Sequence, residues 1–332
     1  MVQELVNNPQ IQAYSESKQG GRSENQDYCT GKAFDAHHTV LVVCDGMGGA
    51  AGGSQASFLA AHTIVDEMAA IFYDQLTEPA KKPTPEEMLE QVFQKATLAV
   101  YNRSREVPEL RGMGSTAVVL YLTPEAAYFA HAGDSRGYQL RNKKKLFRTN
   151  DHSRVFELVE LGVYTEEQAR TAPGNNIITR AMGLKKEVDV DIVKLPYTKG
   201  DRFMLCCDGI WNTMPEAQLL AFFTSDDPMK KVVEDTTAYV DRLGAESHAE
   251  YDNLTLIGAE VAADSTYQYS LTDKICRWFA KHKKKTKPKA LKPAKPTPKP
   301  APKPLSQPAA TKREENNQPA DAGKEETQAN ND

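Results

Sequence analysis

Between His38 and Ala262 the chain alternates short apolar runs with turn-forming residues. HTVLVVCDG is a β-branched run that reaches Asp45. STAVVLYL and AYFAHAGD read as two consecutive strands joined near Thr123 and Pro124, and DRFMLCCDG and DNLTLIGAEV read as two more. Longer amphipathic stretches lie between them. One predicted helix runs from Ser54 to Leu76, and a second starts at Pro85, where proline followed by two glutamates marks a helix N-terminus. PEAQLLAFFTS and MKKVVEDTTAYVDRLG are shorter helical candidates. The helices come in pairs rather than one per strand. That pattern predicts antiparallel sheets covered by helices, not a doubly wound parallel sheet.

The pattern stops after about Ala262. The stretch KHKKKTKPKALKPAKPTPKPAPKP and the Asn/Gln/Glu/Ala-rich end after it cannot bury enough apolar area to offset the entropy of ordering. Three parts are therefore expected: a globular domain over 1–262, a basic amphipathic segment over 263–285, and a disordered Lys/Pro-rich and polar tail over 286–332. Charge divides the same way. The formal net charge is −4, but Lys274 to Lys303 holds twelve Lys or Arg and no acid, and Pro304 to Asp332 holds three bases and six acids. Removing +12 and −3 leaves −13 for residues 1–273. An acidic body argues against nucleic-acid binding by the domain and suits a protein that gathers carboxylates around cations.

The five cysteines (Cys29, Cys44, Cys206, Cys207 and Cys276) are odd in number, and no pair has metal-ligand or redox spacing. Buried reduced thiols fit them best, which suits a reducing, cytoplasmic compartment. No basic leader precedes an apolar stretch, and no run approaches the ~18 apolar residues of a membrane span.

The informative feature is where the acids fall. Asp45, Asp134 and Asp208 each close an apolar strand, in the small-residue turns CDGMGG, AGDSRG and CDGIWN. Asp252 opens a strand, and Asp27 lies in RSENQDY. One aspartate at a strand end is usually a turn former, but recurrence points to convergence. In an antiparallel sheet the end of one strand lies beside the start of the next, so Asp208 and Asp252 meet at one edge. Converged carboxylates repel unless cations lie between them, and hard oxygen ligands select magnesium or manganese over zinc. The glycines after Asp45 permit a tight turn that lets a main-chain carbonyl, that of Gly46, face a metal.

Eight motifs in order, RSENQD (22–27), VVCDGMGGAAGG (42–53), GMGSTAVV (112–119), HAGDSRGY (131–138), TNDHS (149–153), NIITRAMG (176–183), LCCDGIWN (205–212) and DNLTLI (252–257), resemble those of the metal-dependent type 2C serine/threonine phosphatases, the PPM family, in its bacterial branch. The resemblance spans about residues 10–262. It implies an α+β fold, a four-layer αββα sandwich of two antiparallel sheets flanked by helix pairs. It implies a catalytic domain that hydrolyses phosphoserine and phosphothreonine by attack of a hydroxide bridging two Mn2+ or Mg2+ ions. Residue by residue, Asp45 matches the carboxylate touching both metals and Gly46 the carbonyl ligand of the second. Asp208 and Asp252 match the other ligands of the first metal, and Asp27 the acid holding metal-bound waters. Asp134 matches a ligand of a third, weaker ion shared with Asp208. Arg22 matches the arginine that grips the substrate phosphate, a task suited to its planar fork. The implied partners are phosphorylated proteins, opposed to Ser/Thr kinases; a monomer is the default expectation.

Three positions depart from the pattern. Met47 stands where many eukaryotic members carry a histidine thought to protonate the leaving oxygen, and methionine has no proton to donate. Gln26 replaces an acid beside the Asp27 position, and Asn212 an aspartate that helps hold the third metal in some members. The segment from Asp151 to Asn176 resembles the substrate-contacting flap of the family, and is equally readable as a surface insertion. Arg136 and Arg180 read as internal ion-pair partners, and His131 and His152 as structural. In the tail, YSLTDKICRWFAKHKKK fits a helix packed on the domain or one lying peripherally on an anionic membrane, and the Lys-Pro run fits an acidic protein, RNA or lipid headgroups. A catalytically silent phosphoprotein binder is the competing function; it calls for a degraded metal site, whereas all five aspartates are present.

Overall fold

The computed structural model describes residues 1–49, 52–77, 82–247 and 250–268. Most of the basic segment and the whole tail, including Cys276, lie outside the described residues. In chain order the elements are β1 (Gln3–Asn7), β2 (Ile11–Lys18), β3 (Asp27–Ala33), β4 (Thr39–Met47), α1 (Gly52–Thr77), α2 (Pro85–Glu106), β5 (Gly114–Ser115), β6 (Ala117–Leu122), β7 (Ala127–Ala132), β8 (Arg136–Arg141), β9 (Lys144–Arg148), α3 (Arg154–Glu160), α4 (Glu166–Thr171), β10 (Asp191–Leu195), β11 (Arg202–Cys206), α5 (Asp208–Trp211), α6 (Glu216–Phe223), α7 (Met229–Glu246) and β12 (Leu254–Val261).

They form two antiparallel sheets. One has the order β1-β2-β12-β11-β8-β9, and the other β10-β7-β6-β4-β3, with β5 paired to the end of β4. The unbroken apolar runs of the central strands follow from burial on both faces. In β4, Val40, Val42 and Cys44 pack into a core with α1 and α2, whereas Leu41 and Val43 pack between the sheets with Ile11, Phe203, Leu205 and Ile257. The outer face of the first sheet, with Met204, Cys206, Leu254 and Leu256, packs on Val232, Val233, Val240, Leu219 and Phe223 of α6 and α7. Each large apolar side chain so buried is worth roughly 1.5–3 kcal/mol. Three stacked cores therefore hold the αββα layering, as the resemblance implies.

Local rules explain the element ends. Thr84 caps α2 by accepting from the Glu87 amide, and the Glu87 carboxylate accepts from the Thr84 amide in return, with Pro85 in the first turn. The apolar pattern leaves β1–β3 and β8–β10 unannounced, because their sequences mix polar with apolar positions. In β2, Ile11 and Ala13 face the core while Gln12 is exposed. The expected strand ends are corrected. Asp45 lies inside β4, which runs on to Met47; β7 ends at Ala132, before Asp134; β11 ends at Cys206, and Asp208 opens the short helix α5; β12 begins at Leu254, after Asp252. Cys29, Cys44, Cys206 and Cys207 are free thiols. No helix among the described residues is long and apolar enough to cross a membrane.

Candidate metal centre and active site

Strand pairing brings the acids together. Asp27 and Asp45 are register partners on β3 and β4. On the other sheet, Cys206 of β11 pairs with Leu256 of β12, so the chain leaving β11 at Asp208 lies beside the chain entering β12 from Asp252. The β7–β8 turn carries Asp134. Asp45, Gly46, Asp134, Asp208 and Asp252 all line one cavity of about 500 Å3, with Arg22 among its walls. Asp27 is buried behind it, and its Oδ2 has no hydrogen-bond partner.

Backbone contacts lock the geometry. The Gly46 amide donates to the Gln26 carbonyl at 3.0 Å. A Cβ on Gly46 would lie 1.9 Å from the Gly53 carbonyl oxygen, so only glycine lets these chains meet. Thr116 and Ser115, whose motif carried no assigned role in the sequence, hold Asp45: the Thr116 amide and the Ser115 hydroxyl both donate to its carbonyl, at 2.8 and 3.0 Å, and its own amide donates to Thr116 Oγ1 at 3.1 Å. Asn253 was likewise missed. Its Nδ2 donates to the carbonyls of Gln19 and Glu24, and its Oδ1 accepts from the Gln26 amide, clamping the loop that presents Arg22. An Asn directly after Asp252, in the loop that leads into β12, was the only available signal. Asn176, Ile178, Ser23 and Glu24 complete the walls without having been singled out.

Charge crowding is the dominant electrostatic fact. Burial pushes the Asp27 carboxyl up to about 7, against hydrogen bonds from Cys207 and Thr255, with Asp208 and Asp252 adding to the rise. Asp208 is pushed up to about 6 by loss of water and then by Asp252. Asp45 and Asp134 are raised well above the ordinary carboxylate range, again first by loss of water, then by their acidic neighbours. Such a group holds its full charge only when cations share the cavity. The oxygen-only donor set, the Gly46 carbonyl and the orphaned Asp27 Oδ2 fit hard divalent ions. Arg22 spans the rim and donates to both oxygens of Asp252, at 3.1 and 3.0 Å.

Two neighbouring groups are of another kind. Ligand-type atoms of His131, His152 and Asp191 lie within 4.8 Å of one another. The two imidazoles, however, stack with a 10° interplanar angle at 4.5 Å, so no ion can lie in the plane of both, and Arg180 pairs with Asp191 at 2.7 Å. That cluster ties β7 to β10. Arg136 makes a buried bidentate pair with Asp151, at 2.8 and 2.6 Å, and its guanidinium stacks 3.5 Å from the Trp211 ring. Trp211 Nε1 in turn donates to the Asp134 carbonyl at 3.0 Å. Asp151→Asn breaks this buried pair and is expected to cost about 3–5 kcal/mol, read as a lower urea midpoint. Asn212 does not line the catalytic cavity; it lines a neighbouring one under α3 and α4, where its carbonyl accepts from Arg170 at 2.9 Å.

Residues 16–250 match the profile of the family described as protein phosphatase 2C. The serine/threonine phosphatase stp of Listeria monocytogenes serotype 4b (strain F2365) is 30% identical over 241 residues, covering 73% of this chain and 88% of that one. The crystal structure of the serine/threonine phosphatase Stp1 from Staphylococcus aureus superposes with a TM-score of 0.63 at 28% identity, over 79% of this chain and 98% of that one. The catalytic domain of the serine/threonine phosphatase PstP, determined with two manganese ions, gives a TM-score of 0.60 at 25% identity, over 76% and 99% of the two chains. With its two helix-flanked antiparallel sheets, its acid-lined cavity and a profile match over more than half its length, this chain belongs to the protein phosphatase 2C family.

Proposed function

We propose that the chain is a manganese- or magnesium-dependent phosphatase that removes phosphate from serine and threonine of phosphoproteins, in opposition to Ser/Thr protein kinases. The observation that carries this reading is the meeting of Asp45, Asp134, Asp208 and Asp252, from four separate parts of the chain, around one cavity with an arginine at its rim. Asp45, Gly46 through its carbonyl, Asp208 and Asp252 would hold two principal ions, and Asp134 with Asp208 a third. The bound cations supply Lewis acidity, which lowers the pKa of water and offsets charge on phosphoryl oxygens. The residues do the rest. Asp27 accepts hydrogen bonds from water through its unpartnered Oδ2. Arg22 orients the phosphate with two parallel N–H donors, exchanging Asp252 for phosphoryl oxygens. Met47 has no proton to give and, among the described residues, no imidazole lines the cavity; we assign protonation of the leaving oxygen to water.

The test is phosphate release from a phosphothreonine peptide by the purified full chain. Release is expected in manganese and none in excess EDTA. Release that persists in EDTA, or no release with manganese present, rules the reading out.

A further inference from the structure

We infer that Glu24 is a specificity-determining residue that receives a positively charged side chain beside the phosphorylated residue, so that the preferred substrates are phosphopeptides carrying an arginine or lysine there. This rests on the phosphatase reading of the cavity and adds a substrate class to it.

Glu24 lies in the cavity wall with Arg22 and Ser23. It is held at both ends. Its backbone carbonyl accepts from Asn253 Nδ2 at 2.9 Å, and its Oε1 accepts from the Ser54 hydroxyl at 2.5 Å. Ser54 sits in the first turn of α1, a 26-residue helix whose N-terminal amides favour a negative charge nearby. The carboxylate is therefore fixed in position, while its Oε2 has no hydrogen-bond partner among the described residues.

A census of charge around the mouth singles this group out. The four lining aspartates face inward onto the cation site, and Arg22 is engaged by Asp252. Among the described residues Glu24 is the one other charged side chain in the wall, and Glu250 lies close enough to Arg22 to act on its charge. The remaining walls, Met47, Gly48, Gly49, Asn176 and Ile178, carry no charge. A substrate with its phosphate at Arg22 passes its neighbouring residues over these walls. Apart from the cation-site aspartates, the counter-charge in the wall that a substrate cation meets is Glu24, and an acid there meets repulsion, with Arg22 already committed to the phosphate. Isolated carboxylates on a surface rarely select a ligand, because ordering two flexible side chains offsets the Coulomb gain. Glu24 avoids half that cost because Ser54 and Asn253 have already ordered it.

The experiment compares matched phosphothreonine peptides in manganese at low salt. A single arginine, glutamine or glutamate is placed in turn at each of the three positions on either side of the phosphoresidue. At one position the wild-type kcat/KM is expected to be about three- to tenfold higher for arginine than for glutamine, with glutamate lowest. In Glu24→Gln that ratio falls to about one, and in Glu24→Lys it inverts; thermal melts establish that both variants fold. A wild-type ratio near one at every position, or a ratio unchanged in Glu24→Gln, overturns the inference. If the wild type releases phosphate from no peptide, the phosphatase reading itself falls.

Discussion

Asp208→Asn is expected to lower manganese-dependent phosphate release at least about 100-fold, and to weaken manganese binding measured by calorimetry at least about tenfold. The reason is position. Asp208 opens α5 at the end of β11, beside the entry to β12 and in the field of Asp252, Asp45 and Arg22. An amide of the same shape keeps the packing but removes the charge that attracts the ions. Asp134→Asn, in the β7–β8 turn, serves as the graded comparison: on the proposed assignment of Asp134 to a third, weaker ion, it is expected to lose about tenfold. Folding does not confuse the readout, since neutralising one member of a repelling group lowers the repulsion. Full activity in Asp208→Asn, with manganese affinity unchanged, removes the basis for the two-metal assignment.

The second large effect is on stability. In EDTA the protein is expected to become less stable as pH rises from about 6.5 to 8. An unfolded aspartate titrates near about 3.9, whereas in the folded state Asp27 is held up to about 7 and Asp45 and Asp134 are also raised. Across that interval the folded chain still binds protons that the unfolded chain has released, so each rise in pH favours unfolding until the folded carboxyls have also titrated. His131 and His152 act in the opposite direction at lower pH. Burial depresses both, His152 to about 4, so their contribution is complete above about pH 6.5 and is lost as pH falls through the depressed value. The fall above pH 6.5 therefore belongs to the carboxylates. Manganese reverses it. At about 100 times its dissociation constant it adds about 2.7 kcal/mol, or roughly 5–10 °C in Tm, with a larger gain at pH 8 than at pH 5. Scanning calorimetry in EDTA and in manganese at both pH values checks this. A metal-free Tm that stays flat or climbs between pH 6.5 and 8, with equal manganese shifts at pH 5 and pH 8, contradicts it.

Much of the site was readable before any fold was known, for a definite physical reason. The residues that must bear charge where the core ends are forced to strand termini and small-residue turns. Asp45 after VLVVC, Asp134 in AGDSRG and Asp208 in CDGIWN stand out because each interrupts an apolar run. The fully buried strands β4, β6, β7 and β11 were visible on the same grounds, since a strand covered on both faces carries almost no polar residue. β1 to β3 were not. Their outer positions meet water, and their polar residues read as loop until the neighbouring strand supplies the pairing.

What the chain determined by itself is local: which fully buried segments are strands, where the two long helices run, and that acids sit in the small-residue turns beside those strands. What tertiary structure alone decided is distance and partnership. Asp27 faces Asp45 because β3 pairs with β4 in one register; a slip of one residue would turn it to the other face. Asn253 clamps the loop of Arg22 across more than 200 residues of sequence, and Ser54 fixes Glu24 across 30. Hydrogen bonds between such remote groups leave no periodic trace in a sequence, because their spacing is set by sheet pairing and loop closure rather than by any repeat along the chain.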